Sequence, residues 1–145
     1  MIAIRAKTPN FPVMAVMLAV LATLMVAGCG DKPTQKGAKK AANALSDYYY
    51  KDWKPPSGDW QIQKVAIAKD YTVNVDTKIA TKTLSKAIME RSKMEQMEIA
   101  RLACPNINEK IWDTVGKTQP VNIRLSGAAG HIINSLCMRP GEEEK

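Results

Sequence analysis

Nine residues from Tyr71 to Ile79 alternate without a break: Tyr71, Val73, Val75, Thr77 and Ile79 fall on one side, Thr72, Asn74, Asp76 and Lys78 on the other. A period of two marks a strand with one buried and one solvated face. Trp60 to Ala68, joined to it through Lys69-Asp70, predicts the other arm of a hairpin. That arm changes phase. Trp60 and Ile62 share one face and Val65 and Ile67 the opposite one, so a bulge is expected near Gln63-Lys64. After Pro120, Val121, Ile123 and Leu125 alternate with Asn122, Arg124 and Ser126 and predict a third strand.

Elsewhere the spacing is helical. Ala41, Leu45, Tyr49 and Trp53 recur every four residues and stack on one helix face, flanked by Tyr48 and Tyr50. An aromatic stripe of this kind reads as core, and Pro55-Pro56-Ser57-Gly58 stops the helix. Thr81 or Thr83 caps a long helix running to about Ala103, with Leu84, Ile88, Ile99 and Leu102 along one side and the pair Arg91 and Glu95 interrupting it. Its Met89, Met94 and Met97 read as fillers of an irregular core. Asn106 with Glu109 has the form of a capping box before a helix from Ile107 to Val115, closed by Gly116. A turn, Ser126 to Gly130, leads to a last helix over His131 to Met138. The expectation is a two-layer α+β domain over residues 41–140, with about three antiparallel strands and four helices in the order α-β-β-α-α-β-α. Residues 141–145 are expected to be a disordered tail.

The start of the chain follows a different pattern. Met1 to Pro12 carries Arg5 and Lys7 and no acid, and Val13 to Gly28 is free of charge. A positive segment followed by a short apolar one is the signature of a secretory signal. The run is short for a helix that must span about 30 Å of hydrocarbon. Val26-Ala27-Gly28-Cys29 resembles the lipobox of bacterial lipoproteins, with Val26 where that family most often has Leu. The resemblance covers only about the first 29 residues; none is apparent for residues 30–145. It implies cleavage between Gly28 and Cys29, lipidation of Cys29, and attachment to the membrane through the acyl chains. The alternative is an uncleaved signal anchor. In a diderm bacterium, the sorting pattern of the lipoproteins it resembles further implies, from Gly30 rather than Asp after the cysteine, transfer to the outer membrane, facing the periplasm. Residues 29–40 then read as a flexible tether with four lysines and a reach of roughly 20 Å.

Two further cysteines, Cys104 and Cys137, form an even pair, which in an oxidising compartment favours a disulfide. Two buried thiols or a metal pair are the alternatives. A metal is poorly served by one histidine, His131, and no Cys-x-x-Cys spacing.

Charge and chemistry narrow the picture less. The whole chain carries a formal charge of +7. Removing Arg5 and Lys7 with the signal leaves a surplus of five, mild enough to argue against nucleic acid and compatible with anionic headgroups. Ser126 and His131 invite a nucleophile–base pairing, but five residues of separation do not put them in reach. The Ser126–Gly130 turn lacks the lysine and spacing of a phosphate loop. Asp47, Asp52 and Asp76 bracket no cleft in the sequence. The polar strand faces, Asn74, Asp76 and Lys78 with Asn122 and Arg124, are the better candidate for a surface that meets another molecule. The expected function is that of a non-enzymatic interaction or structural component of the envelope, with no cofactor and an envelope protein as partner. The alternative is a module that binds an anionic lipid or a peptidoglycan fragment. Oligomeric state is not written in the pattern.

Overall fold

The computed structural model describes residues 32–141. Gly28, Cys29 and the final four residues therefore lie outside the described residues. Helix α1 (Gln35–Lys51) is followed by strands β1 (Trp60–Ile67) and β2 (Val73–Ile79), then by helices α2 (Lys82–Met89), α3 (Lys93–Arg101) and α4 (Ile111–Val115). Strands β3 (Val121–Gly127) and β4 (Gly130–Leu136) close the domain. The sheet runs β1-β2-β3-β4. Its two hairpins, β1–β2 and β3–β4, are antiparallel, but the seam between β2 and β3 is parallel. This corrects the all-antiparallel sheet expected from the sequence, because alternation marks a strand without fixing its direction. Parallel strands need a long crossover, and α2, α3 and α4 supply it.

All helices but α4 pack against strands, with α1 on β1, α2 on β2 and β3, and α3 chiefly on β4. The core lies between these layers. Val73, Val75, Thr77 and Ile79 of β2 and Val121, Ile123 and Leu125 of β3 are all buried, as the alternation requires. Ala38, Ala41, Leu45 and Tyr49 cover them from α1, and Ala100 and Ala103 join from α3 and its end. Trp53 packs partly buried at the rim of this core.

The helix order differs from the expectation at four points. First, α1 starts at Gln35, capped by Thr34, whose hydroxyl accepts from the Gly37 amide at 3.1 Å. Residues 35–40, read as tether, are its opening turns. Second, the long helix is broken between Met89 and Lys93. Ser92 and Glu95 form a reciprocal capping box, and the Gln96 amide donates to the carbonyls of Met89 and Arg91 at 3.0 and 2.9 Å. One buried side chain thus satisfies the last carbonyl of α2 and a carbonyl of the link to α3. The three methionines are exposed rather than core, Met94 most of all at 72%. Third, the helix expected from Ile107 is only Ile111–Val115. Asn106 makes a local turn instead, its Oδ1 accepting from the Asn108 amide, while its carbonyl accepts from Trp112 Nε1.

The fourth difference changes the architecture. The final segment is a strand, not a helix, so the described residues hold four strands and the order α-β-β-α-α-α-β-β. Ile132 and Ile133 are consecutive because β4 carries a bulge, where Leu125 pairs with Ile133 but Ser126 with His131. Both isoleucines turn inward, which hides the period of two. The disulfide Cys104–Cys137 is present. It joins the chain just after α3 to the residue after β4, not to a last helix.

Gly127 lets this hairpin approach α2. A Cβ there would fall inside van der Waals contact of both Oγ and Cβ of Ser85, which is itself buried. Gly127→Ala is expected to cost about 1–2 kcal/mol by overpacking. Denaturant titration of Gly127→Ala beside Gly127→Ala with Ser85→Gly checks this, since the second change should return part of the loss.

Candidate functional site

On β2 and β3 the residues that alternate with the core point away from the helices. The parallel register sets Asn74 beside Asn122, Asp76 beside Arg124 and Lys78 beside Ser126. All five residues singled out from the sequence therefore meet on one surface. Asn122 Nδ2 donates to Asn74 Oδ1 at 3.0 Å. Arg124 Nε stands 3.2 Å from Asp76 Oδ1. That oxygen is withdrawn from water and receives no aligned hydrogen bond, so charge and proximity, not a directed bond, hold the pair. With the side chains 50% and 29% exposed, the pair contributes at most about 1 kcal/mol to stability.

The edge strands widen this surface. The bulge between Ile62 and Lys64 brings Lys64 opposite Asp76, with Gln61 opposite Lys78. On the other side, Asn134 lies opposite Arg124, His131 opposite Ser126 and Leu136 opposite Asn122. One row thus reads Lys64, Asp76, Arg124, Asn134 across the four strands. Lys64, Lys78 and Arg124 outnumber Asp76, so the face carries net positive charge. Alternation alone does not place Lys64, Asn134 and Leu136 on this face. The first needed the bulge to be counted into the register, and the others needed β4.

Ser126 and His131 are cross-strand partners, closer than their separation implied. Yet Ser126 Oγ donates to the Thr77 carbonyl at 3.2 Å. The Ser126–Gly130 turn joins two strands, so it presents no helix N-terminus to an anion, contrary to the strand-to-helix junction read there. Asp47 is engaged by Lys51 at 2.8 Å on the exposed side of α1.

Two cavities lie away from the sheet face. One of about 620 Å³ sits beside the disulfide, lined among others by Tyr48, Asp52, Leu102, Ile107 and Met138. Burial, helped by the Glu109 and Asp52 carboxylates, pushes the Tyr48 phenol above its ordinary value. Another, of about 610 Å³, lies between α2 and the β3–β4 turn, with Ser85, Met89 and Ala128 in its walls. Among the described residues no cluster of His, Cys, Asp and Glu could hold a metal ion, and no helix is long and apolar enough to cross a membrane.

What these features define is a small α+β domain with helices on one side of a mixed sheet and a polar, basic face on the other. No protein-family description matches the chain, and no curated protein or solved structure matches it significantly.

Proposed function

We propose that this chain is a lipid-anchored protein of the bacterial envelope, exported, cleaved after Gly28 and acylated on Cys29. Its domain acts as a non-enzymatic interaction component on the periplasmic side of the outer membrane, and the outer face of the sheet meets an envelope protein. One observation carries the reading. Of three cysteines, Cys104 and Cys137 are joined to each other, as suits an oxidising compartment, and the third ends the sequence Val26-Ala27-Gly28-Cys29. Each cysteine then has a use. The polar face supports the second half, because Lys78 and Arg124 stand exposed on it beside the half-buried Asn74, Asp76 and Asn122.

Fractionation with acyl labelling tests the anchor. The wild type is expected in the membrane fraction with label, and Cys29→Ser in the soluble or unprocessed fraction without it. Equal membrane retention and labelling of both would overturn the reading. A second reading, capture of an anionic lipid or peptidoglycan fragment, is favoured by the placement of Lys64 on the same face as Lys78 and Arg124. Titration with anionic vesicles at two salt concentrations separates the two. Salt-sensitive binding lost in Lys64→Glu with Lys78→Glu supports lipid capture, and no binding leaves the protein partner.

A further inference from the structure

The two edges of the sheet are protected unequally. A sheet edge presents unpaired N–H and C=O groups that can template another strand, and proteins blunt such edges with charges and bulges. On β1 the bulge falls in mid-strand and is followed at once by Lys64. On β4 the bulge sits near the hairpin, at Ile132, and leaves the following stretch regular. The Cys137 amide donates to the Val121 carbonyl at 2.9 Å, so it faces β3. By the alternation of an antiparallel ladder, the amides and carbonyls of Leu136 and Asn134 then point to the open side. Leu136 and Met138, at this end of the edge, are 58% and 41% exposed.

Charge selects the occupant. From Leu125 to Met138, fourteen residues pass without an Asp, Glu, Lys or Arg. A strand pairing with a different chain tolerates charges, because the partner can carry the opposite sign. A strand pairing antiparallel with its own copy places like residues near one another about a twofold axis, where a lysine close to the axis would lie diagonally across from its own copy. The blank stretch is what self-pairing requires.

We propose that β4 is the dimer edge of this protein: two copies pair β4 antiparallel about a twofold axis at Ser135, joining their sheets into one. Asn134 of one copy then lies opposite Leu136 of its partner, and their outward amides and carbonyls are satisfied. The exposed Leu136 and Met138 lie along the seam. Confinement to a membrane would raise the effective concentration of the partner, but the pairing does not depend on the lipid.

Sedimentation equilibrium on the full chain, purified in detergent with its disulfide intact, compares the wild type with Asn134→Lys. Asn134 is exposed, so the variant keeps its fold, checked by a cooperative melt and an unchanged circular dichroism spectrum. An equal melting temperature is not expected, because loss of the dimer and the like charge of Arg124 opposite both lower it. The wild type is expected to dimerise and the variant to do so about tenfold less tightly, because each lysine sits near its own copy. Hydrogen exchange gives an independent readout, with the Leu136 and Asn134 amides protected in the wild-type dimer and exchanging freely in the variant. A monomeric wild type, or a dimer that Asn134→Lys leaves intact with those two amides unprotected, overturns the proposal.

Discussion

Replacing Cys104 and Cys137 together by alanine is expected to lower the stability of the domain by about 3–4 kcal/mol. The sequence separation of 33 residues sets the size, because an open loop of that length regains substantial conformational freedom in the unfolded chain. The loop encloses α4, β3 and the β3–β4 hairpin, so the bond ties the crossover to the edge strand it must reach. A domain of about 110 described residues has a modest core, and a loss of this size is a large part of its margin. Urea titration of oxidised, reduced and double-alanine protein checks the figure. Reduced and alanine forms should unfold at similar, much lower urea concentrations, and the loss should appear in the midpoint.

A second large effect is expected at alkaline pH. Tyr49 is 4% exposed, and its hydroxyl donates to the Ala103 carbonyl at 2.7 Å. Burial above all, with some help from neighbouring Tyr48, holds the phenol well above its ordinary range. The unfolded phenol titrates near pH 10. Because the folded value is raised, the contribution is fully present below about pH 10 and is lost as pH rises beyond it. The slope approaches about 1.4 kcal/mol per pH unit above the ordinary phenol value, so on the order of 1 kcal/mol is gone by about pH 11. Tyr49→Phe removes this dependence. At neutral pH it is expected to be less stable by about 1 kcal/mol, since the buried Ala103 carbonyl loses its donor. The two stability curves should therefore cross near about pH 11. Chemical denaturation from pH 7 to 11.5 follows this, and parallel curves would mean that Tyr49 ionises without unfolding.

The sequence revealed those parts of the fold whose side chains alternate or recur without interruption. β2 and β3 have unbroken alternation, and the buried stripe of α1 has a simple four-residue repeat. The β1 bulge was legible because Ile62 and Val65 change phase across it. The same device concealed β4, where consecutive Ile132 and Ile133, followed by Leu136, mimic a helix face. A short apolar run cannot be assigned by period alone. The break between α2 and α3 was signalled by Ser92-x-x-Glu95, but the apolar residues on either side kept a nearly continuous helical phase and outweighed it. At the candidate site, pattern placed Asn74, Asp76, Lys78, Asn122 and Arg124 on polar faces. Only pairing could bring the two strands side by side, and only the fourth strand could add Asn134.

The central claim is an exported, lipid-anchored domain whose remaining cysteines are bonded to each other. Intact-mass determination of the protein from its native membrane, alkylated with and without prior reduction, tests it most directly. The account predicts a chain lacking residues 1–28, an added acyl mass on Cys29, and alkylation of Cys104 and Cys137 only after reduction. A full-length chain with no acyl mass and with both thiols freely alkylated would contradict it.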